Sequence, residues 1–180
     1  MFCTYAHRSL HRCRFSRVVI ADRRKPASHA AIAAAAIAVA PWVEDVIEYA
    51  EEDFAGALPA GCVVVSIHGC KSLTDDILTA AIAAQARTVC VMPCCYGHSF
   101  AAERAPATLR RHLGVAVAAD VQRTIRLEAE GYTVQWRFVP AQVTPMNRIL
   151  VARRRGGDRA RDGVSVVGGG GTLDVEVQHS

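Results

Sequence analysis

Two short, mostly apolar runs, Cys62 to Ile67 and Thr88 to Met92, constrain this chain more than any other feature. Runs of this length, rich in β-branched residues and bounded by turn chemistry, are strands buried on both faces, the kind found inside parallel sheets. A parallel strand cannot return through a tight hairpin; it needs a crossover, usually a helix. Between the two runs lies Ser72-Leu73-Thr74-Asp75, the Ser-x-x-Asp form of a helix N-terminal capping box, followed by the apolar stretch Ile77 to Ala84. The spacing therefore predicts strand, helix, strand.

The same alternation extends both ways. Arg17 to Ala21 is a β-branched strand ending at Asp22, and the Ala-rich stretch to Ala40 that follows Pro26 has strong helix propensity. Val43 to Tyr49 suits a helix end or a short strand, with a strand near Val46 the preferred reading. A helix is expected over Ala118 to Glu130, closed by Gly131. Strands are expected over Tyr132 to Val139 and Arg148 to Ala152, paired antiparallel across a Pro140 to Pro145 turn. The sum is an α/β domain with a mostly parallel sheet and an antiparallel C-terminal strand pair.

A chain of 180 residues holds one such domain. With 51% hydrophobic and 21% charged residues it lies far from the composition of disorder. Its longest apolar run, Ala30 to Ala40, stops at Pro41, short of the roughly 20 residues that cross a bilayer, so no membrane partner is expected. Charge is uneven: residues 1–25 carry +6, residues 26–152 carry −3 and the remainder +1. Basic ends suit RNA phosphates, although solvated arginines are the commoner explanation. The seven cysteines are an odd number in mostly apolar contexts, which fits a reducing, cytoplasmic setting better than a disulfide framework. No pair has Cys-x-x-Cys spacing, so no metal site is expected.

In open α/β sheets, ligands sit beyond the carboxyl ends of the strands. That rule selects Asp22, Asp53, His68 to Lys71 and Pro93 to Gly97. Asp22 could accept hydrogen bonds from ribose hydroxyls, or pair with Arg23 or Arg24. His68 could move a proton near neutrality, or be an ordinary loop histidine. Cys94 and Cys95 are nucleophiles if held as thiolates, and otherwise small packing residues. Tyr96 offers a stacking face and a hydroxyl, or a half-buried ring. The glycine-rich turn expected about 20 residues before a ribose-binding acid is absent, since Met1 to Arg17 contains no glycine.

Four segments occur in order: Val-Val-Ile-Ala-Asp-Arg-Arg at 18–24, Val-Ser-Ile-His-Gly-Cys-Lys-Ser-Leu-Thr-Asp-Asp at 65–76, Val-Met-Pro-Cys-Cys-Tyr at 91–96, and Val-Thr-Pro-Met-Asn-Arg at 143–148. Together they resemble the class I S-adenosylmethionine-dependent methyltransferases, in the branch with a His-x-Cys loop followed by a Pro-Cys-Cys loop. The resemblance covers residues 17–153. It implies a Rossmann-like, doubly wound sheet that binds S-adenosylmethionine, with Asp22 on the ribose, Asp53 and Phe54 beside the adenine, and His68, Gly69 and Cys70 beside the reacting methyl group. Pro93, Cys94, Cys95 and Tyr96 then line the substrate side, and His68 and Tyr96 are the catalytic candidates. The acceptor, whether RNA, protein or small molecule, is not implied. Lys71 stands where the branch often has an acid.

Against the family pattern the first strand and its glycine loop are expected to be missing, with residues 1–16 a basic, helical segment, so that the chain reads as N-terminally truncated. Residues 154–180 read as a flexible Arg/Gly-rich tail. The truncation leaves open whether a partner chain supplies the missing strand, and whether cofactor still binds. The alternatives are a non-catalytic scaffold derived from the same fold and, with less support, a nicotinamide-type dehydrogenase.

Overall fold

The computed structural model describes residues 2–8, 15–54 and 56–156. The expected tail at 154–180 lies outside these residues from position 157 onward. The described residues form a mixed α/β domain around one seven-stranded sheet of order β3-β2-β1-β4-β5-β7-β6. Its strands are β1 (Phe2–Arg8), β2 (Phe15–Asp22), β3 (Ile47–Glu51), β4 (Val63–Ile67), β5 (Thr88–Met92), β6 (Tyr132–Phe138) and β7 (Arg148–Arg154). The helices are α1 (His29–Val39), α2 (Leu73–Ala83), α3 (Phe100–Arg104) and α4 (Ala107–Ala129), with a 3-10 turn at Pro41–Val43. No helix among the described residues is long and apolar enough to cross a membrane.

The expectation at the N-terminus is corrected. Phe2–Arg8 is a strand rather than part of a helix, and it fills the place in the sheet between β2 and β4 that was expected to be empty. β1 runs antiparallel to both neighbours, from Cys3↔Ala21 on one side and from Phe2↔Ile67 on the other. Its direction follows from chain length: only residues 9–14 separate β1 from β2, and so short a link joins antiparallel neighbours, whereas a parallel crossover needs a dozen residues or more. Its strand state follows from backbone accounting. Without β1, the facing edges of β2 and β4 would leave buried N–H and C=O groups unpaired inside the sheet.

The sheet is consequently less parallel than expected. β2 with β3 and β4 with β5 are parallel, while β7 runs antiparallel to both β5 and β6, as the C-terminal pair was expected to do. Since β1 opposes both β2 and β4, strands β2, β3, β4 and β5 all point the same way. Their carboxyl ends lie along one sheet edge, and that edge positions the site.

The core sits where the two apolar runs meet α2 and the C-terminal half of α4. Val64, Val89, Val91, Ile77, Leu78, Leu127 and Leu150 are at most 1% exposed, and each such side chain contributes about 1.5–3 kcal/mol by leaving water. α1 differs: none of its residues is buried, and Ile32 and Val39 face solvent. α4 begins eleven residues earlier than the helix expected at Ala118, and it is broken at Gly114, whose φ of 78° lies in the left-handed region that glycine tolerates.

The capping box is corrected too. Ser72 stands at the N-cap of α2, but its side chain makes no capping bond. The Asp75 carboxylate is taken by more distant partners: it accepts from Arg123 Nε at 2.8 Å and from the Ala101 backbone N–H at 3.1 Å.

Candidate functional site

Three strand ends and the loops that follow them enclose a cavity of about 610 Å³, lined by Asp22 and Arg23 after β2, Asp53 and Phe54 after β3, and Cys70, Leu73 and Asp76 after β4. The parallel pairing of β2 and β3 places Asp22 opposite Glu51 at the strand ends. Asp53 is exposed and its carboxylate is bound by Arg23 Nε at 2.8 Å. So exposed a pair contributes at most about 1 kcal/mol. The sequence-predicted residues Asp22, Asp53, Phe54 and Cys70 thus border one cavity, although they come from three separate stretches of chain.

The His68–Lys71 loop turns sharply. His68 and Lys71 both adopt positive φ, 62° and 56°, a conformation that non-glycine residues hold only when their surroundings impose it. Those surroundings are visible: the His68 N–H donates to the Met92 carbonyl at 2.9 Å, and the buried Thr74 hydroxyl donates to the Gly69 carbonyl at 2.6 Å. A Cβ on Gly69 would lie 2.6 Å from that hydroxyl oxygen, so the close approach requires glycine. His68 itself is exposed, and neither it nor Gly69 lines the cavity.

On the other side of Cys70 stands the Pro93–Tyr96 loop. An isolated parallel bridge joins the backbones of Cys70 and Cys95. The Sγ atoms of Cys70 and Cys94 are 3.0 Å apart, those of Cys70 and Cys95 3.4 Å, and those of Cys94 and Cys95 3.5 Å. Burial, reinforced by the two neighbouring thiols, pushes the Cys94 thiol up to about 12. That direction opposes a nucleophilic thiolate at Cys94. The thiols of Cys62 and Cys90, which lie outside the cluster, are also raised by burial.

Tyr96, a catalytic candidate in the sequence, occupies a different setting. It is 6% exposed, and its hydroxyl donates to Asp120 Oδ2 at 2.7 Å and accepts from Arg148 Nη2 at 3.2 Å. Asp120 also accepts from Arg148 Nε at 2.8 Å and from Arg123 Nη1 at 3.1 Å, and Arg123 reaches on to Asp75. Both guanidinium groups lie over the Tyr96 ring, 5.4 and 5.6 Å from its centre. Burial and the Asp120 charge push the phenol well above its ordinary range. Its hydroxyl is committed to the network and ties the Pro93–Tyr96 loop to α2, α4 and β7.

Sequence reasoning did not single out Asp120 or Arg123, read Asp75 as a helix cap, and gave Arg148 no role beyond its place in the fourth motif. The available signal was local: Asp120 and Arg123 are three residues apart on the Ala-rich face of α4, where unpaired charges are rarely buried. The convergence of Cys70 on Cys94 and Cys95 had no local signal at all.

No curated protein and no solved structure matches the chain. A family model described as a methyltransferase domain matches residues 8–101, just over half of the sequence. The match runs from the end of β1 to the start of α3 and includes every described residue that lines the cavity and all three clustered cysteines. The chain belongs to this methyltransferase-domain family.

Proposed function

We propose that the domain is a Rossmann-like methyltransferase module that uses S-adenosylmethionine, taking the nucleoside half of the cofactor into the cavity between β2, β3 and β4. The observation that carries this reading is the meeting of Asp22, Asp53, Phe54 and Cys70 around one hollow. At about 610 Å³ it falls within the roughly 300–1,000 Å³ typical of small-molecule sites. The residues fit that half of the cofactor: Asp22 offers a carboxylate to ribose hydroxyls, and Phe54 with Asp53 offers a flat apolar face and an acceptor to the adenine. The amino-acid half has less provision, because no glycine precedes Gly56 and the backbone has no glycine turn there for close approach.

When bound, the cofactor supplies an electrophilic methyl group on a sulfonium. The chain's own contribution is placement. The His68–Cys70 loop borders the reacting centre and the Pro93–Cys95 segment borders the acceptor, which is an RNA, protein or small-molecule nucleophile. Alignment and exclusion of water account for much of such a rate. His68, exposed two residues from Cys70 and outside the cavity lining, is the side chain this reading assigns to take a proton from the acceptor.

The lack of early glycines favours one other reading, a binding module that keeps the sheet and does no chemistry. Calorimetric titration of the chain with S-adenosylmethionine separates the two. Saturable heat is expected, with Asp22→Ala weakening binding by about 10- to 100-fold, the equivalent of one hydrogen bond to a charged group. A folded chain that releases no heat would leave the binding module as the correct reading.

A further inference from the structure

We infer that Cys70, Cys94 and Cys95 form a binding site for one thiophilic d10 cation, with Zn²⁺ the ion it fits, held by three thiolates and keeping a fourth position open. Three sulfur atoms from two loops lie within 4.8 Å of one another, and no histidine or carboxylate among the described residues joins them. Sulfur selects the ion, since Mg²⁺ and Ca²⁺ take oxygen ligands whereas Zn²⁺ takes thiolate. The geometry is close to what the ion needs. A Zn–S bond of about 2.3 Å in a tetrahedral site sets sulfurs about 3.8 Å apart, so the observed 3.0, 3.4 and 3.5 Å require only a slight opening around the ion.

The frame that holds the sulfurs does not depend on the ion. The Cys70–Cys95 backbone bridge fixes two of them relative to each other. The buried Thr74 hydroxyl fixes the loop of the first, and the Tyr96–Asp120–Arg148 network fixes the loop of the other two. Cys70 and Cys95 are exposed and Cys94 is partly so, which leaves the site accessible to a hydrated ion. Binding breaks three S–H bonds, forms three S–Zn bonds and releases three protons to solvent, with no change of oxidation state. Three protein ligands leave room for water or an acceptor atom, the arrangement of zinc sites that act on a ligand rather than merely brace a fold. Because Cys70 also lines the cavity, the ion stands at its border.

The test is an anaerobic titration of the fully reduced chain with Co²⁺, a spectroscopic stand-in for Zn²⁺. The expected result is a thiolate-to-metal charge-transfer band that saturates at one equivalent and disappears when Zn²⁺ displaces the cobalt. Cys70→Ser, Cys94→Ser and Cys95→Ser should each weaken binding at least about tenfold while circular dichroism shows them folded. Cys90→Ala, outside the cluster, should bind as the unaltered chain does. Absence of the band, or a band that persists in all three serine variants, overturns the assignment. The inference does not rest on methyl transfer, and the titration with S-adenosylmethionine is read separately from it.

Discussion

Asp120→Ala is expected to destabilise the domain by about 3–5 kcal/mol, because it leaves the buried Arg123 with Asp75 as its one carboxylate among the described residues and takes the carboxylate from the partly buried Arg148. Asp120 is 0% and Arg123 1% exposed, and Asp120 serves Arg123, Arg148 and Tyr96 together. A loss of that size is a large share of the roughly 5–15 kcal/mol that domains possess, and the urea midpoint should fall by about 1 M or more. Glu48→Ala provides the contrast. It breaks a two-point contact with Arg17, at 3.0 and 2.7 Å, but both side chains are more than half exposed, so the cost should stay below about 1 kcal/mol. Equal midpoints for the two variants would mean that the buried network is not holding the fold.

Gly69→Ala is the second large effect. The added methyl would stand 2.6 Å from Thr74 Oγ1 and 3.4 Å from Thr74 Cα, on a residue that is itself 1% exposed and cannot swing into solvent. A loss of about 1–3 kcal/mol is expected from overpacking, together with weaker metal binding, because the neighbouring Cys70 is displaced. The double variant Gly69→Ala/Thr74→Ala makes the argument specific. Thr74→Ala alone sacrifices the 2.6 Å bond to the Gly69 carbonyl, but it also removes the atom the new methyl meets. The double variant should therefore lose less stability than the two single changes combined. Strict additivity in denaturant melts would show that the clash is not the cause.

What could be read from the sequence was what short stretches decide for themselves. β4, β5 and α2 were legible because mostly apolar, β-branched runs and a polar helix start carry their own signal. The C-terminal antiparallel pair was legible from two strand patterns around a Pro-containing turn. β1 was not, because Phe2–Arg8 is a strand on account of the edges of β2 and β4, and β4 lies more than fifty residues further on. Asp75 shows the same limit. Its spacing from Ser72 reads as a cap, yet Arg123, forty-eight residues later, claims the carboxylate. Within the site, Asp22 was visible as a strand end, and the glycine demand at position 69 was not, since it depends on where Thr74 comes to rest. The three sulfurs meet only after β4 and β5 have paired in register, from Val63↔Thr88 to Ile67↔Met92, which brings their carboxyl-end loops side by side.

β1 also divides the molecule mechanically. β2 and β3 lie on one side of it and the other four strands on the opposite side, so within the sheet the halves are joined only through β1. The cavity straddles that division, with Asp22, Asp53 and Phe54 on one bank and Cys70, Leu73 and Asp76 on the other. Within the sheet, the spacing of the two banks is therefore set by the strand that lies between them. The seam between β1 and β4, five residue pairs from Phe2↔Ile67 to Ala6↔Val63, works as a spacer between the banks. A shift of β1 against β4 would act on a ligand in the cavity as a change in the distance between two walls.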